Sequence, residues 1–104
     1  GRVCLLVDDL IDTGRTIAKA AEALKNHGAL GVVVAATHAV FSDPAVEILQ
    51  SEFIDRVVVT DTLPIPEEKR WDRLEVLPIA PLIARAIHEV FDDGSVTSMF
   101  DGAA

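Results

Sequence analysis

Cysteine is almost missing from this chain: Cys4 is the only one among 104 residues. No internal disulfide can form, so packing alone must hold the fold. Set inside an apolar run, Cys4 is expected to be a small buried core residue, not a reactive thiol. Aromatic residues make up 5% of the chain although half of it is hydrophobic, which predicts an aliphatic core. Basic residues are also scarce, with nine Lys and Arg against 17 Asp and Glu and a formal net charge of −8. Such a surface excludes nucleic acid and anionic membranes as partners, because binding phosphate backbones needs a basic face. It also means that a phosphate group must be held by local donors and a metal ion, since the overall field repels anions. No apolar run approaches the ~20 residues of a membrane-spanning helix, and no signal-peptide pattern is present. A cytoplasmic location is the expectation. The length suits one domain with a single core.

Against these absences stands one dense stretch, Val3-Cys4-Leu5-Leu6-Val7-Asp8-Asp9-Leu10-Ile11-Asp12-Thr13-Gly14-Arg15-Thr16. Five apolar residues in a row read as a strand buried on both faces, as in a parallel sheet. Two carboxylates follow at its carboxyl end, where open α/β sheets bind ligands. The segment Asp12 to Thr16 then brings backbone N–H groups and two hydroxyls to the start of a helix, which suits a phosphate. Carboxylates beside an anion site fit together if Mg²⁺ or sugar hydroxyls lie between them. A phosphorylated sugar with Mg²⁺ satisfies both halves.

The rest of the chain alternates strands and helices. Strand one covers Val3 to Val7, and a helix runs from about Thr16 to His27. In that helix Ile17, Ala20, Ala21 and Leu24 form one apolar stripe, and Gly28 ends it as the residue after the C-cap. Strand two covers Val32 to Ala36. Asp43 and Pro44 read as N-cap and first residue of a short helix reaching about Gln50. Strand three covers Arg56 to Thr60, and a polar loop with the charge run Glu67-Glu68-Lys69-Arg70 leads to strand four, Leu74 to Leu77. Trp71 is expected to be partly exposed there. The last helix starts at Ala80 or Pro81 and ends at Phe91, with Leu82, Ile83, Ala86, Ile87 and Val90 on one face. Ser95 to Phe100 reads as a short edge strand. This order predicts an α/β fold with a parallel sheet and right-handed crossovers.

Hydrophobic-Asp-Asp-x-hydrophobic-Asp-Thr-Gly-x-Thr resembles the phosphoribosyl pyrophosphate (PRPP) loop of the type I phosphoribosyltransferase fold. Four further stretches are similar to the ribose-phosphate pyrophosphokinase family: Ala36-Thr37-His38-Ala39-Val40-Phe41-Ser42-Asp43-Pro44-Ala45, Val58-Val59-Thr60-Asp61-Thr62-Leu63-Pro64, Ala80-Pro81-Leu82-Ile83-Ala84 and Gly94 to Phe100. The resemblance covers nearly all of residues 1–104, in order, and is to the carboxyl-terminal half of that family. It implies a three-layer α/β fold of the phosphoribosyltransferase type, with about four parallel strands, helices on both faces and a C-terminal edge strand. It implies one domain, a fragment of a longer two-domain enzyme of nucleotide biosynthesis. That enzyme transfers diphosphate from ATP to ribose 5-phosphate, giving PRPP and AMP. The chain would bind ribose 5-phosphate or PRPP with Mg²⁺, ATP would come through the missing half, and the enzyme would be a homo-oligomer.

Residue by residue, the resemblance implies that Asp8 and Asp9 hold the ribose hydroxyls or a sugar-bound Mg²⁺. Asp12, Thr13, Gly14, Arg15 and Thr16 form the 5-phosphate site, and Asp12 can also cap the helix. Arg15 departs from the family, which has a second glycine there. If that position needs a positive φ, arginine is strained by about 1 kcal/mol. Ser95, Thr97 and Phe100 match a segment that contributes to a regulatory phosphate and ADP site. No residue matches the family's catalytic lysine, so the chain alone is expected to be inactive. His38 is read as a loop or interface histidine.

Rival readings are a phosphoribosyltransferase, for which no base-recognition segment is found, and a receiver-type phosphate-binding domain with Asp61 as phosphate acceptor. The receiver reading lacks a lysine at the end of a later strand. A purely regulatory or assembly role is the third.

Overall fold

The computed structural model describes residues 1–92. Its elements are β1 (Val3–Ile11), α1 (Arg15–Asn26), β2 (Gly31–Ala39), α2 (Ala45–Leu49), β3 (Arg56–Thr60), a 3₁₀ turn (Glu67–Lys69), β4 (Leu74–Leu77) and α3 (Ala80–Phe91). The four strands form one parallel sheet in the order β1-β2-β3-β4. The chain is thus α/β, with four parallel strands in one sheet plus helices. Ser95, Thr97 and Phe100, and the C-terminal edge strand they belong to, lie outside the described residues.

β3, β4 and α3 have the expected bounds, while β1 and β2 are longer. β1 continues through Asp8, Asp9 and Leu10 because its backbone stays in register with β2, pairing Asp8 with Ala36 and Leu10 with His38. Strand pairing needs backbone partners, not apolar side chains, so the acids fall inside the strand and not after it.

α1 ends as its glycine predicts. Gly28 has φ +99°, its N–H donates to Lys25 O, and Ala29 N–H donates to Leu24 O. These are the two bonds of a Schellman cap. The short helix α2 starts differently from expectation. Pro44 is its N-cap, with non-helical φ −101°, ψ 45°, and no side chain caps it, so Asp43 does not serve as N-cap.

One face of the sheet carries the core. Val32, Val34, Ala36, Val57 and Val59 are buried there beneath Ala21 of α1, Ala45 and Leu49 of α2, and the loop residues Phe41, Ile54 and Ile65. Parallel neighbours joined by right-handed crossovers place successive helices on the same side of a sheet. The core agrees, since α1 and α2 share it.

The opposite face corrects the sequence reading. β1 is not buried on both faces: Val3, Leu5 and Val7 are 66%, 62% and 72% exposed. Cys4, on the core side, is only half-buried. The helical cover expected on both faces is present on one among the described residues. α3 keeps the predicted amphipathic stripe but buries none of its residues, and Ile83, Ile87, Val90 and Phe91 remain exposed. The apolar stripe of α3 is present, but nothing among residues 1–92 buries it.

Cations tie the loops together. Arg73 donates to Ile54 O at 2.6 Å and Gln50 O at 2.7 Å, and Lys69 Nζ donates to Phe41 O at 2.7 Å. The charge run is therefore not simply solvated. Trp71 is partly exposed, as expected, and packs on Phe41 with ring centroids 5.9 Å apart.

Asp55 bridges α1 and β2. It accepts the Val32 N–H at 2.7 Å and pairs with Lys25 at 3.0 Å. The Val32 N–H, then Lys25, hold its carboxyl below the ordinary value of 3.8. A depressed carboxylate contributes stability in full above its unfolded value and loses it as pH falls through the lower folded value. Its side chain is about half exposed, so screening limits the contribution to about 1 kcal/mol. Urea unfolding of Asp55→Asn should show that loss at pH 7 and a shrinking difference from the parent below about pH 4.

Candidate functional site

The site is built where β1 passes into α1. Gly14 is the N-cap of α1, at φ +77° and ψ 6°, a left-handed conformation that glycine adopts without the penalty of a Cβ. A second constraint acts on the same residue. A Cβ on Gly14 would lie 2.9 Å from Leu49 Cδ2 and 3.1 Å from Leu49 Cγ. Gly14 thus lets the turn settle directly on α2.

Because Gly14 is the N-cap, Arg15 is the first helical residue. The only non-glycine residue with positive φ among the described residues is Phe41, so Arg15 carries no left-handed strain. Asp12 precedes the N-cap by two positions, and no side chain caps α1. The expected Asp12 cap is therefore not formed. The first α-helical bond runs from Ala18 N–H to Gly14 O at 2.9 Å. The N–H groups of Arg15, Thr16 and Ile17 precede that ladder and have no partner within it. No acid lies in the first turn of α1. The geometry leaves donors and the positive end of a helix dipole facing outward.

These residues line a shallow cavity of about 180 Å³ with Asp8, Leu10, Ile11, Asp12, Thr13, Gly14, Arg15, Thr16 and Ile17 around it. Pockets for drug-sized ligands run to roughly 300–1,000 Å³, so this one suits a phosphate-bearing fragment better than a whole nucleotide. Six of the seven residues predicted to bind substrate, Asp8, Asp12, Thr13, Gly14, Arg15 and Thr16, meet there. Asp9, the seventh, is exposed and does not line the cavity. A larger depression of about 530 Å³ runs along α2, but its charged residues are Asp43 and Glu47, which repel anions.

Asp8 and Asp9 nevertheless interact. The Asp9 N–H donates to Asp8 Oδ1 at 2.8 Å. Hydrogen bonding from the Asp9 carboxyl group and then its N–H holds Asp8 below the ordinary carboxylate range. Asp8 is thus ionised at neutral pH, with its carboxylate exposed at the cavity. No group of three or more His, Cys, Asp or Glu residues suited to a metal exists among the described residues. Two contiguous carboxylates still match the hard oxygen ligands that hold Mg²⁺ beside a substrate phosphate.

At the neighbouring strand ends, His38 Nδ1 lies 2.7 Å from Thr62 Oγ1, and the Thr60 hydroxyl donates to Thr37 O at 2.7 Å. His38 lies inside β2, not in a loop. Asp61, the candidate phosphate acceptor of the receiver reading, accepts the Ile79 N–H at 2.8 Å just ahead of α3. Sequence reasoning missed Leu49, which no local pattern connects to Gly14. Among the described residues, no helix is long and apolar enough to cross a membrane.

A family model of the phosphoribosyl synthetase-associated domain matches residues 1–101. Ribose-phosphate pyrophosphokinase of Streptomyces avermitilis is 58% identical over 101 residues, covering 97% of this chain and 31% of that protein. Its counterpart in Bifidobacterium longum is 60% identical over 101 residues, covering 97% of this chain and 30% of that protein. The crystal structure of phosphoribosylpyrophosphate synthetase from Mycobacterium smegmatis superposes with a TM-score of 0.81 at 52% identity, over 88% of this chain and 31% of that one. The chain spans about a third of the length of the curated relatives it matches.

The Gly14–Leu49 contact yields a stability prediction. Gly14→Ala should destabilise the fold by about 2 kcal/mol or more, from the left-handed φ together with the clash. Leu49→Ala should cost about 2–5 kcal/mol as a cavity. Because the smaller residue relieves the clash, the double variant should lose less than the sum. Denaturant melts of the four proteins measure this coupling, and strict additivity would show that the two residues do not meet.

Proposed function

The chain belongs to the phosphoribosyl synthetase-associated domain family, and from that premise we propose that it is the ribose 5-phosphate- and PRPP-binding, carboxyl-terminal half of a ribose-phosphate diphosphokinase. The observation that carries the reading is the β1–α1 turn. It gathers unpaired helix N–H groups, the Thr13 and Thr16 hydroxyls and the Asp8 carboxylate around one small cavity.

In this reading the 5-phosphate sits on the N–H groups of Arg15, Thr16 and Ile17. The Thr13 and Thr16 hydroxyls add hydrogen bonds, and the exposed Arg15 side chain adds a positive charge where the family has glycine. Asp8, kept ionised by Asp9, accepts the ribose hydroxyls and so orients C1 away from the turn. Asp8 and Asp9 are the residues that would hold Mg²⁺, which supplies positive charge to the phosphoryl oxygens. The chain's own contribution is positioning: it fixes one reactant so that the 1-hydroxyl meets an ATP supplied from elsewhere. The formal charge of −8 fits this division of labour, since diphosphoryl transfer needs local positive charge and the chain is poor in lysine. The charge balance therefore supports placing the ATP-binding part and the catalytic lysine outside these residues.

Isothermal titration of the chain with ribose 5-phosphate and Mg²⁺ tests this. Binding should be weak and Mg²⁺-dependent. Asp8→Asn should weaken it by about tenfold, the loss of one charge-assisted bond. Arg15→Gly should weaken it less, and tighter binding in that variant would show that arginine obstructs the site. The chain alone should form no AMP from ATP and ribose 5-phosphate, as followed by chromatography of the nucleotides. Appreciable turnover would place the whole catalytic apparatus inside it.

A further inference from the structure

One segment, residues 40–50, holds the β1–α1 turn at both of its ends. At the far end Leu49 meets Gly14. At the near end the Val40 and Phe41 N–H groups both donate to Ile11 O, at 3.0 and 3.1 Å. That oxygen belongs to the peptide group from which Asp12 departs, and Ile11 is wholly buried. Two donors on one carbonyl fix the plane of that peptide, and so the direction in which the chain leaves β1.

Phe41 makes its bond from a strained conformation. Its φ of +50° is left-handed, which a bulky residue adopts only where its surroundings impose it. The dihedral angles of a residue set the angle between its own N–H and C=O groups. With Phe41 left-handed, its N–H meets Ile11 while its C=O meets Lys69, whose Nζ donates to it at 2.7 Å. A return to negative φ swings one of the two groups away from its partner.

Lys69 is placed for this contact. In a chain with 17 Asp and Glu, its half-buried ammonium is directed at a backbone carbonyl, and no carboxylate pairs with it among the described residues. A charged donor makes a hydrogen bond roughly twice as strong as a neutral one. The residues on either side of Lys69 are themselves anchored: Ile65 is buried in the core, and Trp71 packs on Phe41. Between them the 3₁₀ turn closes with the Lys69 N–H on Pro66 O at 2.9 Å.

We propose that Lys69 is a positioning residue for the β1–α1 turn. It does not line the cavity there. It acts through two hydrogen bonds in series, Lys69 Nζ to Phe41 O and Phe41 N–H to Ile11 O, and so sets where Asp12 to Thr16 lie. Its consequence for substrate binding rests on the phosphate-site reading, whereas its hold on the turn does not. A lysine that only stabilised the fold would loosen all parts of the core together when removed.

Hydrogen exchange of the protein as encoded and of its Lys69→Met variant, read residue by residue by NMR, tests the hold without ligand. The amides followed are Val40, Phe41 and Ala18, the last making the first α-helical bond to Gly14 O. Relative to the Val32 amide, held by Asp55 at the other end of β2, they should exchange at least about tenfold faster in the variant. Equal acceleration at all four amides, or none, overturns the proposal. Calorimetric titration with ribose 5-phosphate and Mg²⁺ then reads the site. Lys69→Met should weaken binding at least about threefold, and Lys69→Arg, which keeps a charged donor, should recover most of the loss. Asp55→Asn, which lowers stability without touching the clamp, should bind as the parent does. Parental affinity in Lys69→Met, or an equal loss in Asp55→Asn, overturns the role in binding. Should Lys69→Met not fold, the parent protein decides, because coupling is reciprocal. Ribose 5-phosphate with Mg²⁺ should then slow exchange at Val40 and Phe41 and not at Val32, and unchanged exchange at Phe41 overturns the proposal. A parent that binds no ribose 5-phosphate overturns the phosphate-site reading instead, and the ligand-free exchange comparison still decides the hold on the turn.

Discussion

The contact between Gly14 and Leu49 is the constraint on which the site depends. It sets the distance between the β1–α1 turn and α2, and it fixes where α1 begins. Had the turn carried a Cβ, the Leu49 side chain would have to shift out of its place in the core. With glycine at this position, Asp8 of β1 and the first N–H groups of α1 meet at one cavity. α2 is only five residues long and cannot hold Leu49 by helical propensity. Its position comes from its neighbours. Arg73 grips the carbonyls of Gln50 and Ile54 behind it, and Lys69 grips that of Phe41 ahead of it. In a chain short of basic residues, these two cations act as staples for the loops that flank α2, and so indirectly for the turn.

That arrangement explains what could be read in the sequence and what could not. β3, β4 and α3 were legible because hydrophobic period and turn residues coincide there with backbone pairing. Gly28 was legible because a left-handed helix terminus favours glycine regardless of context. The turn at Asp12 to Thr16 was legible as an anion site from its residue types, and the structure brings nearly all of them together. The caps were not legible. Asp12 and Asp43 are good capping residues by composition, but helix starts are set by where packing allows the chain to turn. Gly14 on Leu49 decides this for α1. The full length of β1 was hidden because Asp8 and Asp9 end the apolar run without ending the ladder. The Leu49 contact was out of reach, since 35 positions separate it from Gly14.

The exposure of β1 is a different kind of discrepancy. The sequence reading assigned Val3 to Val7 to a strand covered on both faces, and residues 1–92 cover one. A pattern of burial in a sequence reflects the surroundings in which that sequence was selected, and those extend as far as its partners do. On β1, the apolar residues left exposed mark a contact that is not made within residues 1–92. The same reasoning applies to the amphipathic α3, whose stripe faces no part of the described residues.

Electrostatics links the two themes. An anion site in a chain of charge −8 works only if its donors are close and its long-range field is offset. Backbone N–H groups meet the first requirement without adding charge, and in the proposed site the β1–α1 turn supplies them. The second requirement needs cations, and of the chain's three lysines Lys25 is paired with Asp55 and Lys69 with a carbonyl. In the proposed reading, Mg²⁺ held by Asp8 and Asp9 would offset part of that field.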